Sequence, residues 1–224
     1  MSADEHQPTD VIYLSPEEER ANTLTHALGC VLSLVALVPL VFHPANPEVG
    51  LRVTALLYSL AMGLVYFCSA MSHAVLDPRR RNRWRAWDQG SIYLLIVATY
   101  SPFIFACSPA GFRMPLMIAV WSCAVLGFYS KVLRRHRING ISTLSYILLG
   151  WFPAFLLVAQ TPAPSLWWMV GGGACYMIGV GFLRYDSRYR HFHAIWHLWV
   201  LAGSASHFVA IYRLLAIVSA EPVA

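Results

Sequence analysis

Near the start of its last apolar segment the chain carries His191-Phe192-His193-Ala194-Ile195-Trp196-His197. His193 and His197 are four residues apart, so on a helix they stand one turn above each other on one face, the spacing two imidazoles need to share a metal ion. Two histidines make half of a zinc site. Further ligands must reach the same depth and the same side, and that depends on the elements that carry them.

Those elements are membrane helices. Hydrophobic residues make up 58% of the chain and charged residues 12%, and the mean hydropathy is +0.54, a composition that excludes an ordinary soluble domain. Apolar runs of about 18 to 25 residues, the length that spans a bilayer core, fall at 22–42, 51–76, 87–107, 114–133, 141–159, 166–183 and 192–218. The fold class expected is all-α: a polytopic seven-transmembrane-helix bundle with its amino terminus cytoplasmic. Residues 1–20 form a short polar cytoplasmic tail, acidic and without the features of a secretory signal. Residues 21–218 form the membrane domain, and 219–224 a short extracytoplasmic tail. Gly150, Pro153 and Gly171-Gly172-Gly173 interrupt the fifth and sixth runs, as membrane helices tolerate.

Orientation follows from the basic residues, which stay on the cytoplasmic side of short loops. The breaks after the second, fourth and sixth runs hold twelve: Arg79, Arg80, Arg81, Arg83 and Arg85, then Lys131, Arg134, Arg135 and Arg137, then Arg184, Arg188 and Arg190. The alternate breaks hold two, Arg52 and Arg113. Topology and contact with anionic lipid thus account for the net charge of +5, and no nucleic-acid partner is expected. The five cysteines lie in or at the ends of apolar runs without a CxxC pair, so they read as small buried apolar residues.

With the topology set, depth can be compared. His73 closes the second run, Asp88 opens the third, and His193 and His197 open the seventh, all in the cytoplasmic third of the membrane. Ser69 lies one turn deeper than His73 on the same face. Zinc prefers neutral imidazole, and a catalytic site uses three protein ligands and keeps a fourth position open. His73, His193 and His197 could be those ligands, with Asp88 orienting water or accepting its proton and Ser69 supporting by hydrogen bond. The reaction class would be hydrolysis of a lipid amide or ester, with membrane lipid as the partner. Each residue also has a structural reading: a membrane histidine can be a hydrogen-bonded packing residue, and Asp88 could pair with Arg85. His207 lies ten residues beyond His197, roughly 15 Å along a helix, too far to join the same ion.

Glu19, Asn22, Thr25-His26 and Gly29 in the first run, Ser69-Ala70-Met71-Ser72-His73 in the second, Asp88-Gln89-Gly90-Ser91 in the third, and Phe192-His193-Ala194-Ile195-Trp196-His197 with Gly203 and His207 in the seventh resemble the hemolysin III family. That family belongs to the progestin and adipoQ receptor (PAQR) superfamily, and the resemblance covers all seven runs in order. It implies a seven-helix fold with a zinc ion near the inner face, held at positions matching His73, His193 and His197, with Asp88 and Ser69 beside it. Where eukaryotic relatives usually show Asp-Tyr-x-Gly-Ile, this chain has Asp88-Gln89-Gly90-Ser91-Ile92. Two function classes follow: a zinc-dependent lipid amidohydrolase, suggested by similarity to alkaline ceramidases, and a non-enzymatic sensor or cytolysin with structural zinc. The open three-histidine set favours the enzyme, because structural zinc usually takes four protein ligands.

Overall fold

The computed structural model describes residues 14–45, 47–133 and 140–220. Outside them lie most of the polar tail, the basic residues Arg134, Arg135 and Arg137, and the last four residues. Seven helices run in chain order: α1 Pro16–Val41, α2 Val49–Ala74, α3 Pro78–Cys107, α4 Ala110–Val132, α5 Gly140–Leu157, α6 Ala163–Arg184 and α7 Phe192–Ala220. Each expected apolar run has its helix, and the protein is a polytopic membrane bundle.

Two helices begin well before their apolar runs, for the same reason. Ser15 caps α1 through a capping box with Glu18, and Pro16 occupies the first helical position, where a missing N–H costs nothing. The last residues of the expected tail, Pro16 to Arg20, are therefore helical. Asp77 caps α3 by accepting from the Arg80 N–H at 2.8 Å, and Pro78 again fills the first position. The arginine run read as a loop thus forms the opening turns of α3.

Six helices are long and apolar enough to cross a membrane among the described residues. The fifth is shorter, with 18 residues, or about 27 Å against a hydrocarbon core of about 30 Å. It stops at Leu157 because the N–H groups of Gln160 and Thr161 both turn back to that carbonyl, just before Pro162.

The buried core lies on α2, α3 and α7, with Tyr58, Tyr66, Phe103, Ile104, Ile211, Leu214 and Leu215 enclosed. Helix α1 closes against α2 and α7, α4 and α5 pack on α3, and α6 packs on α7. Helix α1 turns Leu24, Leu28, Val31 and Val35 outward and α6 turns Trp167 outward, the apolar surface that lipid covers. Close approach of α6 and α7 depends on small residues: a Cβ at Gly172 would lie 2.3 Å from Cδ2 of His207, and one at Gly179 would lie 2.6 Å from the Trp196 ring. Small residues at such crossings are how membrane helices gain packing without a hydrophobic driving force between them. All five cysteines are free thiols.

Candidate metal centre

The three histidines meet. His73 comes from the last turn of α2, and His193 and His197 from the first two turns of α7; one ring nitrogen from each lies within 4.8 Å of the others. Ring centroids are 4.7 Å apart for His193 and His197, 5.0 Å for His73 and His193, and 5.2 Å for His73 and His197. His197 is 1% exposed and His73 6%, so the group sits inside the protein.

What surrounds the rings bears on which nitrogen each one presents. Nδ1 of His73 is 2.8 Å from a Glu19 carboxylate oxygen, and Nδ1 of His193 is 2.8 Å from Asp186. Nδ1 of His197 is 3.0 Å from the Thr25 hydroxyl. The same hydroxyl lies 2.9 Å from the Ala21 carbonyl oxygen and 3.0 Å from that of Asn22, and when it donates to either of these it accepts from His197. A carboxylate only accepts, so the Nδ1 atoms of His73 and His193 donate to Glu19 and Asp186, which leaves Nε2 as the ring nitrogen that can ligate. Three imidazoles backed by a carboxylate, a carboxylate and a hydroxyl have the outer partners that a metal-ligating histidine group needs. The group could hold a metal ion.

Glu19 does more than orient His73. Its other carboxylate oxygen pairs with the guanidinium of Arg81, a fully buried side chain on the second turn of α3, and also accepts from the Leu14 N–H at 3.1 Å. One carboxylate thus joins α1, α2 and α3. Its two neighbours reach the other end of the chain: Glu18 accepts from the His191 backbone N–H at 3.0 Å, and Glu17 pairs with Arg190 at 2.9 Å. His191 itself adopts φ 62, a left-handed turn that starts α7 at Phe192.

Asp88 and Ser69 lie beside this group, not in it. They line a cavity of about 230 Å³ whose wall also includes His193 and His197. The rest of the wall is mainly apolar, with residues such as Ile96, Trp151 and Met177 from α3, α5 and α6, but it also carries Gln89, Thr99, Thr143 and Tyr176. His207 borders the same cavity but stands outside the histidine group, as its ten-residue separation from His197 requires.

With this geometry in view, the family question has an answer. The sequence profile described as "Haemolysin-III related" matches residues 14–208. The chain belongs to the hemolysin III family. It is 32% identical over 202 residues to Hemolysin-3 of Bacillus cereus, covering 87% of this chain and 90% of that one. To the Hemolysin-3 homolog of Bacillus subtilis it is 31% identical, over 87% of this chain and 93% of the relative. A more distant PAQR relative, the human monocyte to macrophage differentiation factor, is 26% identical over 88% of this chain and 84% of its own length. Family membership and the apolar helices make this a multi-pass cell-membrane protein.

Sequence reasoning assembled His73, His193 and His197 but left their outer partners without a role. Glu19 and Thr25 carried the resemblance without a chemical reason, and Asp186 went unnoticed. A signal for the first two exists: Glu19, Asn22, His26, Gly29 and Ser33 are all buried and recur every three or four residues, a polar stripe entering an apolar helix. His26 belongs to that stripe and stacks on His197 with ring centroids 3.6 Å apart, buttressing one ring of the group. Asp186, in the turn between α6 and α7, has no periodicity to reveal it.

Proposed function

We propose that the chain is a zinc-dependent hydrolase of lipid amide or ester bonds, ceramidase-like, acting at the cytoplasmic membrane face to which the arginine asymmetry assigns this end of the bundle. The observation that carries this reading is the open histidine group at the head of an apolar cavity. One ring nitrogen from each histidine lies within 4.8 Å of the others, no fourth protein ligand joins them among the described residues, and a cavity lined mainly by apolar side chains begins there. Neutral imidazole ligands with a free position suit zinc in a catalytic site.

His73, His193 and His197 would hold the ion, which when bound supplies Lewis acidity and makes water a nucleophile near neutral pH. The remaining work falls to the chain's own groups. Glu19 and Asp186 keep His73 and His193 in their ligating tautomer, and Thr25 backs His197. Asp88 stands on the cavity wall as the general base that takes a proton from water and returns it to the leaving amine or alcohol. Ser69, on the same wall, would support that carboxylate by a hydrogen bond. The apolar walls accept the lipid chain and exclude bulk water, which strengthens every polar interaction at the head of the cavity.

Metal analysis of the purified protein should give about one zinc per chain, and the double variant His193→Ala/His197→Ala should lose it. Incubation with a panel of ceramides and related amides should release fatty acid from the wild type and far less from Asp88→Asn. Equal release by both would overturn the mechanism. Zinc without release from any lipid amide or ester would favour the sensor or cytolysin reading, with the ion as a structural tie.

A further inference from the structure

Helix α3 begins well before its apolar run, and the arginines of its opening turns divide. Arg81 turns inward, fully buried against Glu19. Arg79, Arg80 and Arg83 are exposed, and none of their guanidinium groups enters an ion pair or a hydrogen bond among the described residues. Asp77, the acid nearest to them in the sequence, is engaged as the helix cap. At 3.6 residues per turn, Arg79 and Arg83 each stand about 160° around the helix from Arg81, and Arg80 about 100°. The three therefore lie on the side that faces away from the bundle.

Two tryptophans come next on that side. Trp84 meets Phe67 of α2 edge to face, with ring centroids 5.5 Å apart, and Trp87 meets Phe128 of α4 in the same way at 5.4 Å. Phe67 is 47% exposed and Trp87 41%, so both aromatic pairs open towards lipid. Trp84 follows Arg80 by four residues and Trp87 follows Arg83 by four, which sets each indole about 6 Å deeper along the helix than its arginine. Indole rings settle at the boundary between headgroups and hydrocarbon, and the guanidinium groups one turn further out stand at the depth of lipid phosphates. Beyond Phe67, α2 turns Leu60 and Val53 outward, an apolar track on which an acyl chain can lie. Topology alone asks only for basic residues somewhere in this loop; it does not ask for three on one outward face above two exposed aromatic pairs.

We propose that the head of α3 is a binding site for one anionic phospholipid of the cytoplasmic leaflet, its phosphate held among Arg79, Arg80 and Arg83 and an acyl chain laid along Phe67. Arginine suits this task because its planar fork matches phosphate oxygens in a bidentate way that an ammonium does not. A free anion would use the guanidinium groups alone, and the aromatic pairs beneath them select a lipid. The site is separate from the histidine group and does not depend on hydrolysis.

Native mass spectrometry of the full-length protein in detergent counts bound lipid directly, with phosphatidylglycerol or phosphatidylcholine of the same chains as the titrant. The wild type should hold one phosphatidylglycerol about tenfold or more tighter than phosphatidylcholine. Replacing Arg79, Arg80 and Arg83 together by glutamine should weaken that binding roughly 100-fold, at about fivefold for each arginine near the membrane surface. The control Arg20→Gln/Arg184→Gln/Arg188→Gln removes the same charge from other exposed positions and should weaken it less than about threefold, since distant charges are screened. A control that loses as much as the test variant would show diffuse attraction and overturn the site. A wild type that holds both lipids equally, or neither, overturns it as well. Glycerol phosphate, which has the phosphate without the chains, should not displace the lipid at equal concentration; displacement would overturn the role given to the aromatic pairs.

Discussion

Glu19→Gln separates the orienting role of this side chain from its charge. The amide oxygen of glutamine can still accept from Nδ1 of His73, so the ring keeps its direction, but the negative charge facing Arg81 is gone. Breaking a buried ion pair by neutralising one partner costs about 3–5 kcal/mol. Glu19 is 12% exposed in its side chain and Arg81 keeps a further interaction, which places the expected loss near the lower figure, about 3 kcal/mol. Loss of an outer partner lowers metal affinity about 10- to 100-fold; with ring direction preserved, roughly tenfold is expected. Thermal unfolding of the metal-free protein in detergent reads the first quantity, and zinc titration against a chromogenic chelator reads the second. Adding Arg81→Met should recover most of the stability, since two neutral side chains replace a charge pair. It should not recover affinity, because the carboxylate that polarised His73 is still missing. An E19Q protein that binds zinc as tightly as the wild type would refute the assignment of Glu19 as a tuning partner, and one that also melts unchanged would refute the buried pair.

Asp186→Asn should weaken zinc binding by up to about tenfold with little change in melting, because the His193–Asp186 pair is 22% and 28% exposed and solvent screens it; chelator titration beside thermal unfolding checks this. Thr25→Val removes the hydroxyl 3.0 Å from His197 Nδ1 and should cost about 1 kcal/mol in unfolding free energy. Gly172→Ala drives a methyl group to 2.3 Å from His207 and 2.9 Å from the Gly203 carbonyl oxygen, where backbone cannot yield. A melting loss of about 1–3 kcal/mol is expected, against no loss for Gly111→Ala, which meets nothing within 4 Å.

The seven helices were legible because lipid demands long apolar runs, and their order together with the arginine asymmetry brought His73, His193 and His197 to one depth. The helix starts were harder to read, since the same charges that mark a membrane edge also disguise a helix. Asp77-Pro78 is a start signal placed directly before the arginine run, and it outweighs the polar composition that follows. At the centre, ligands announced themselves by residue type and spacing, while partners did not. Glu19 looked like one of several tail acids until α2 and α3 supplied His73 and Arg81 on either side. Asp186 meets His193 across a turn of only seven residues, and nothing in residue type distinguishes it from any solvated aspartate.

The three successive glutamates at the start of α1 set an order of assembly. Glu17 and Glu18 wait for Arg190 and His191, each pair 173 residues apart, while Glu19 waits for His73 and Arg81. At about 5–20 residues per second of synthesis, α1 is made roughly 10 to 35 seconds before the last of its partners exists. Through that interval the first turn of the protein carries acidic groups whose counterparts are still untranslated, and two of the three histidines are missing. The histidine group is therefore completed only once α7 has begun, and a chain whose beginning has found its last helix presents all three rings together.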